Sequence, residues 1–296
     1  MTGDRLDFQG PDGRRLEGVV AGLEGDPLVV MHHGTPGAGT EIWPPYVELA
    51  GARGLRLAAY SRPGAGGSDR APGRSVGDCA WDAAALADAL GARRFYTVGG
   101  SGGGPHALAC GALLSDRVLA AATVAGVAPR DAEGLDWLAG MGQENLDEFA
   151  AAERGPEALE EFIGEWAPRL READAPAILA ALGDLVSPPD AAVLTGDYAE
   201  FAAASMHEAL RAGFWGWFDD DLALLGDWGF ELGAIEVPVT IWQGRQDRFV
   251  PAAHGEWLAD HVAGARAHLL DDHGHLSLAL AHFDVILAEL VAAGEA

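Results

Sequence analysis

Ser101 lies in Gly99-Gly100-Ser101-Gly102-Gly103, a G-x-S-x-G run with the strand-like Phe95-Tyr96-Thr97-Val98 before it and the helix-like Pro105-His106-Ala107-Leu108-Ala109-Cys110 after it. A serine at so sharp a strand-to-helix turn is held in a strained backbone conformation with its hydroxyl exposed, and flanking glycines avoid collisions within the bend. A glycine-rich turn before a helix can also cradle a phosphate. This chain, however, has no lysine for a Walker loop and lacks the six-residue spacing of a dinucleotide turn. Ser101 is therefore predicted to be a nucleophile.

A serine at its normal pKa needs a base that titrates near neutrality, and that base needs a third group to orient it. For a serine in this strand-turn-helix context the acid and then the histidine follow in chain order, which confines the search to the C-terminal third. His275, in Asp271-Asp272-His273-Gly274-His275, is the predicted base. The glycine before it lets the chain turn inward and the helical run after it fixes the loop; His273 is the competitor. Asp272, His273 and His275 have no second cluster to complete a metal site, so neither metal nor cofactor is expected. Asp247, in Gly244-Arg245-Gln246-Asp247-Arg248-Phe249-Val250-Pro251, is the predicted acid. Asp219-Asp220-Asp221 is the reserve, although three adjacent carboxylates read as a helix N-cap and a solvated face. The oxyanion needs backbone N–H donors, and these are expected from Gly102, at a helix N-terminus, and Thr35, in His32-His33-Gly34-Thr35-Pro36-Gly37. His33 is expected to brace that loop through backbone hydrogen bonds.

The elements that must place these residues alternate in sequence. Strands are predicted at residues 15–21, 27–31, 55–60, 95–99, 119–124, 237–242 and 267–270, and helices at 43–52, 76–90, 105–114, 252–261 and 276–292. That is the pattern of a mostly parallel sheet covered by helices on both faces. From 127 to 230 the alternation stops: the period is helical, with breaks at Gly155-Pro156, Ala175-Pro176 and Ser187-Pro188-Pro189. This predicts a helical cap between two strands, with 1–126 and 231–296 forming the core. Trp215, Trp217 and Phe218 are candidates for lining an apolar substrate pocket.

Of 296 residues, 45 are acidic and 19 basic, all arginine, giving a net charge of −26. Such a surface repels phosphate backbones and anionic lipid, so no nucleic acid or membrane partner is expected. The predicted cap carries 22 acidic residues and five arginines, a local balance of −17. Neither a signal-like apolar region nor an uninterrupted apolar run of membrane-spanning length is read, so a cytoplasmic protein acting on a small molecule is expected. Cys79 and Cys110 are expected as free thiols. The sequence does not specify an oligomeric state.

Together these motifs resemble the α/β-hydrolase fold superfamily in its cap-bearing branch. His33 to Gly37 looks like its oxyanion loop, Ser61-Arg62-Pro63-Gly64-Ala65-Gly66-Gly67-Ser68 like its D-x-x-G-x-G-x-S turn, and Gly99 to Gly103 like its nucleophile elbow. Residues 244–251 and 274–275 look like its acid and histidine loops. The resemblance implies a serine hydrolase of small carboxylic esters or similar acyl bonds, working through an acyl-enzyme. It is similar also to proline iminopeptidases, so an aminopeptidase is the first alternative, with Glu161, Glu165 and Glu208 as candidates to hold a substrate ammonium. Thr35 and Gly102 stand where those peptidases usually carry glycine and tryptophan, and Ser61 replaces an acidic residue. A slow-turnover ligand-binding protein on the same fold is the second alternative, and perhydrolysis a conceivable side activity.

Overall fold

The computed structural model describes residues 3–295. Eight strands form one sheet in the order β1-β2-β4-β3-β5-β6-β7-β8. They are β1 (Asp4–Gln9), β2 (Arg15–Ala21), β3 (Leu28–His32), β4 (Arg56–Tyr60), β5 (Phe95–Gly100), β6 (Val118–Val124), β7 (Val239–Gly244) and β8 (Arg266–Leu270). The first two pairings, β1 with β2 and β2 with β4, are antiparallel, and the others are parallel. The strand order reverses between β3 and β5. Ligands in open α/β sheets gather at such a reversal, beyond the carboxyl ends of the strands.

The central strands are apolar on both sides because both sides are covered. Every residue of β4 and β7 is buried, as is β5 up to Gly99. Helices α1 (Pro44–Gly51) and α11 (His275–Glu295) pack on one face, against Val29, Leu57, Val98, Ala122 and Trp242. Helices α2 (Asp78–Ala89), α3 (Gly104–Leu113) and α10 (Ala252–His261) cover the other. Helix α11 is long and apolar enough to cross a bilayer by length and composition alone. Here Leu278, Phe283, Ile286, Leu287 and Leu290 instead bury against the sheet, which accounts for its apolar face. Asp284 and Glu289 interrupt its sequence, so a count of continuous apolar runs passes over it.

β1 is the strand that sequence periodicity did not find. Only Phe8 of its six residues is buried, because an edge strand needs little apolar pattern. Its pairing with β2 supplies what its composition does not.

Between β6 and β7 the described residues hold no strand but six helices: α4 (Gln143–Glu153), α5 (Pro156–Glu172), α6 (Ala175–Ala181), α7 (Pro188–Val193), α8 (Gly196–Ala209) and α9 (Trp215–Leu225). The three proline breaks coincide with the first turns of α5, α6 and α7, where a missing N–H is no loss. These helices have a core of their own around Leu159, Ile163, Ile178, Leu210, Trp217 and Phe218.

Gly99 is where the sheet hands over to the turn, and a Cβ there would overlap the carbonyl of Gly103. Gly99→Ala should lower the stability measured by urea denaturation by about 1–3 kcal/mol or more, the usual cost of forced overpacking. An unchanged midpoint would show that the turn has room to relax.

Candidate active site

Ser101 follows β5 directly and opens a single 3-10 turn into α3. Its φ is +55°, a left-handed conformation costly for a residue with a side chain. The turn is sterically forced, because Gly103 stacks onto the carbonyls of His32 and His33 and Gly99 onto Gly103. Ser101 therefore points out beyond the carboxyl edge of the sheet.

His275 is the first residue of α11, and its Nδ1 donates to an Asp247 carboxylate oxygen at 2.8 Å. Asp247 lies in the loop after β7 and is itself fixed: its other oxygen accepts from the N–H groups of Phe249 at 2.9 Å and Val250 at 2.8 Å. The side-chain amide of Gln243 donates to it at 3.1 Å. The ring of Phe249 stacks on the imidazole with centroids 4.6 Å apart. Burial alone would depress the His275 pKa, but the Asp247 carboxylate and its hydrogen bond, helped by Asp190, outweigh it and raise the pKa above the ordinary imidazole value. His273 is not part of this pair. Ser101 and His275 border one cavity of about 390 Å³. Among the described residues no hydrogen bond joins them, a contact that commonly tightens only when substrate binds.

Thr35 and Gly102 flank Ser101, and the three together line a second, smaller cavity of about 50 Å³. The loop from His33 to Thr35 is clamped from below by Arg62, whose guanidinium donates to the carbonyls of His33 at 2.6 Å and Gly34 at 3.0 Å. His33 Nδ1 bonds to the Gly34 carbonyl at 2.7 Å, and its Nε2 accepts from the Arg62 N–H at 3.1 Å. Enclosure and the nearby guanidinium push its pKa down to about 3, so the ring is neutral with its proton on Nδ1.

Arg62 in turn is paired with Asp220 of α9, with N–O distances of 2.5 to 3.1 Å. Arg74 binds the same carboxylate, and Thr35 Oγ donates to it at 2.8 Å. Asp220 is fully enclosed; burial would raise its pKa, but the two guanidinium groups hold it well below the carboxylate range. The expectation of a solvated face for Asp219-Asp220-Asp221 is therefore overturned. All three are buried, with Asp219 bound to Arg70 at 2.7 and 2.9 Å and Asp221 beside Glu148. The arginines that neutralise Asp219 and Asp220, Arg62, Arg70 and Arg74, and the Glu148 that lies beside Asp221, are far away in sequence.

The large cavity is lined from the core by Met31, Val98, Val124 and Phe283 and from the helical insertion by Ile178, Leu182, Leu194, Tyr198, Phe201 and Met206. Trp215, Trp217 and Phe218, expected to line it, border neither cavity among the described residues. Trp217 and Phe218 pack inside the insertion, and Trp215 stacks under Arg70 with 3.8 Å from guanidinium to ring. Those three were picked by their aromatic type, whereas the lining comes from α6, α8 and the residues beside them, whose alanine-rich sequence gives no local sign of a pocket. Glu161, Glu165 and Glu208 border neither cavity either. Glu165 pairs with Arg169, and Glu208 with Arg5 and Arg211, at the surface. Sequence reasoning also missed Arg62 as a clamp, Glu148, and Asp190, whose carboxylate meets the start of α11.

A profile described as alpha/beta hydrolase fold matches residues 27–281. The chain belongs to the α/β hydrolase fold family. No curated protein matches it. Among solved structures, this α/β hydrolase is similar to a bromoperoxidase from Bacillus anthracis, with 20% identity over 98% of this chain and 100% of that one and a TM-score of 0.70. It is similar also to an enol-lactonase from Burkholderia xenovorans, with 19% identity over 97% and 100% of the two chains and a TM-score of 0.68. Epoxide hydrolase A from Mycobacterium thermoresistibile aligns at 23% identity over 98% of each chain, with a TM-score of 0.69. At these identities the likeness is one of fold.

Replacing Asp220 by asparagine leaves two buried guanidinium groups undercompensated, and should cost about 3–5 kcal/mol in a denaturant titration. A carboxylate depressed on folding contributes stability above its unfolded pKa and loses it only as pH falls through the folded value. The gap between wild type and Asp220→Asn should therefore hold from about pH 8 to about pH 5 and close only below the usual carboxylate range. A gap that closes near pH 6 would contradict the pairing.

Proposed function

We propose that this α/β hydrolase is a serine hydrolase that cleaves a small carboxylic ester, or a similar acyl bond, through an acyl-enzyme. The observation that carries the reading is the meeting of a left-handed Ser101 and a His275–Asp247 pair on one cavity, beside a loop whose carbonyls are tied back. Ser101 Oγ adds to the substrate carbonyl carbon while its proton passes to His275 Nε2. The carbonyl oxygen becomes an oxyanion, which the N–H groups of Gly102 and Thr35 stabilise. As the intermediate collapses, the C–O bond to the leaving alcohol breaks and the alcohol takes the proton from His275. Water then adds to the acyl-enzyme by the same route, its proton going to His275 and later returning to Ser101 as the acid departs. Asp247 holds the imidazole in the required tautomer and stabilises its cationic form.

Within the large cavity the described lining includes no Asp, Glu or Arg. Tyr198, pushed up to about 12 by burial and the nearby Asp190, remains a neutral hydroxyl. This lining supports an uncharged substrate with an apolar group, despite the acidity of the insertion. Ser101→Ala should reduce hydrolysis of neutral aryl esters to background, and equal rates for the two proteins would sink the assignment. The rate should also fall in acid as His275 becomes protonated. Because the His275 pKa is raised, the midpoint of the acidic limb of kcat/KM should lie above the ordinary imidazole value of about 6.5. A midpoint below that would mean another group is the base.

One feature favours the aminopeptidase alternative as a second reading. The small cavity beside Ser101 is bordered by Glu148 and Asp221, whose adjacent carboxyls are raised by burial and, for Asp221, by repulsion from Glu148. Asp221 Oδ2 finds no hydrogen-bond partner among the described residues. Such a pair carries about one negative charge and can accept one ammonium. If this is the substrate's amine site, a free-amine aryl amide should be cleaved faster than its N-acetyl analogue, and Asp221→Asn should erase the difference. Equal rates for the two amides leave the ester reading alone.

A further inference from the structure

The helix that begins with the base is capped from elsewhere in the chain. The first N–H groups of a helix have no acceptor within it, and a side chain at the preceding residue usually serves. Before α11 that residue is Gly274, which has no side chain. Instead one carboxylate from α7 takes three successive N–H groups: Asp190 accepts from His275 at 2.9 Å, Leu276 at 2.9 Å and Ser277 at 2.9 Å. The hydroxyls of Ser277, at 2.9 Å, and Ser187, at 2.8 Å, complete its shell. A Cβ on Gly274 would overlap Ser187 Oγ and the Asp190 carboxylate. The glycine is thus what admits the carboxylate, a reason independent of any need for the chain to turn.

His275 is held at two points, its ring by Asp247 and its backbone by Asp190. A helix N-terminus carries a partial positive charge that opposes an imidazolium. The charged groups facing His275 are Asp247, from the loop after β7, and Asp190, from α7. Asp190 is fully buried, and Tyr198 of α8 is the titratable neighbour that feels its charge.

We propose that Asp190 is a positioning residue for His275: a carboxylate supplied by the helical insertion that fixes the backbone of the base and offsets the helix-end charge when the imidazolium forms. The proposal rests on the reading of His275 as the base of a serine hydrolase. It makes the insertion part of the acid–base machinery as well as a wall of the cavity.

The test compares wild type, Asp190→Asn, Asp190→Glu and, as a control destabilised inside the insertion, Leu159→Ala. Each is followed by melting temperature, by kcat and KM on a neutral aryl ester, and by the pH dependence of Ser101 labelling with a fluorophosphonate probe. Asp190→Asn should lower kcat by about 10- to 100-fold, the scale on which small misplacements of reacting groups act, with KM within about twofold. Its acidic limb should move to lower pH, because a negative charge near the imidazolium is gone. Asp190→Glu keeps the charge, so its limb should stay near wild type while kcat falls. A folded Asp190→Asn with unchanged kcat and limb, or one that merely tracks Leu159→Ala, overturns the proposal. If Asp190→Asn does not fold, Ser187→Ala removes one donor that steadies the carboxylate: reduced kcat at unchanged melting temperature supports the proposal, and unchanged kcat overturns it. Failure of the probe to label Ser101 in wild type would instead overturn the serine-hydrolase reading itself.

Discussion

A single buried carboxylate, Asp220, balances two guanidinium groups directly beneath the loop that flanks Ser101. Ionised groups so enclosed persist only when they are paired and hydrogen-bonded, and Asp220 and Arg62 are so by geometry that crosses the fold. Arg62 comes from the loop after β4, Arg74 from the segment before α2 and Asp220 from α9. Arg62 spends its remaining donors on the carbonyls of His33 and Gly34. Breaking the pair would leave a charge without a partner and release the loop at once. The shape of the candidate oxyanion site thus follows from an ion pair rather than from the loop's own sequence.

The same logic holds on the opposite side of the cavity, where Asp190 meets the start of α11. The helical insertion therefore sends carboxylates into the core on both sides of the cavity, Asp220 under the loop from His33 to Thr35 and Asp190 at His275. An insertion docked only by apolar contact could shift or hinge with little consequence for the core. One whose buried charges complete the core's hydrogen bonds is tied to its geometry. This also changes what the acidity of the insertion means. Asp190, Asp219, Asp220 and Asp221 are buried, and three of the four carry structural contacts with the core. Among the described residues the larger cavity that reaches Ser101 is lined without Asp or Glu, so the insertion's carboxylates bear only on the smaller one, at Glu148 and Asp221.

Ser101 lies between two unlike spaces, a large apolar cavity walled by α6 and α8 and a small one that ends on Glu148 and Asp221. The first accommodates an uncharged apolar group by burial alone. The second holds a carboxyl pair that burial pushes toward the protonated form, helped at Asp221 by repulsion from Glu148.

The sequence by itself determined the fold class and the residues at the chain's turning points. Alternating apolar runs and helical stretches placed seven of the eight strands, and the G-x-S-x-G turn, the Asp247 loop and the His275 loop could be read because each is a local constraint: a steric bend, a loop after a strand, a helix start. The prolines that open α5, α6 and α7 were legible for the same reason. Tertiary structure alone decided β1, whose pairing rather than composition makes it a strand. It also decided the lining of the cavity, the burial of Asp219 to Asp221, and the partnerships of Arg62 with Asp220 and of His275 with Asp190. Gly274 is the instructive case, since the sequence showed a flexible residue beside the base and the structure shows space kept for a carboxylate 84 residues earlier in the chain. A charged side chain looks solvated in sequence until its counter-charge is found, and distant counter-charges meet only when the chain folds.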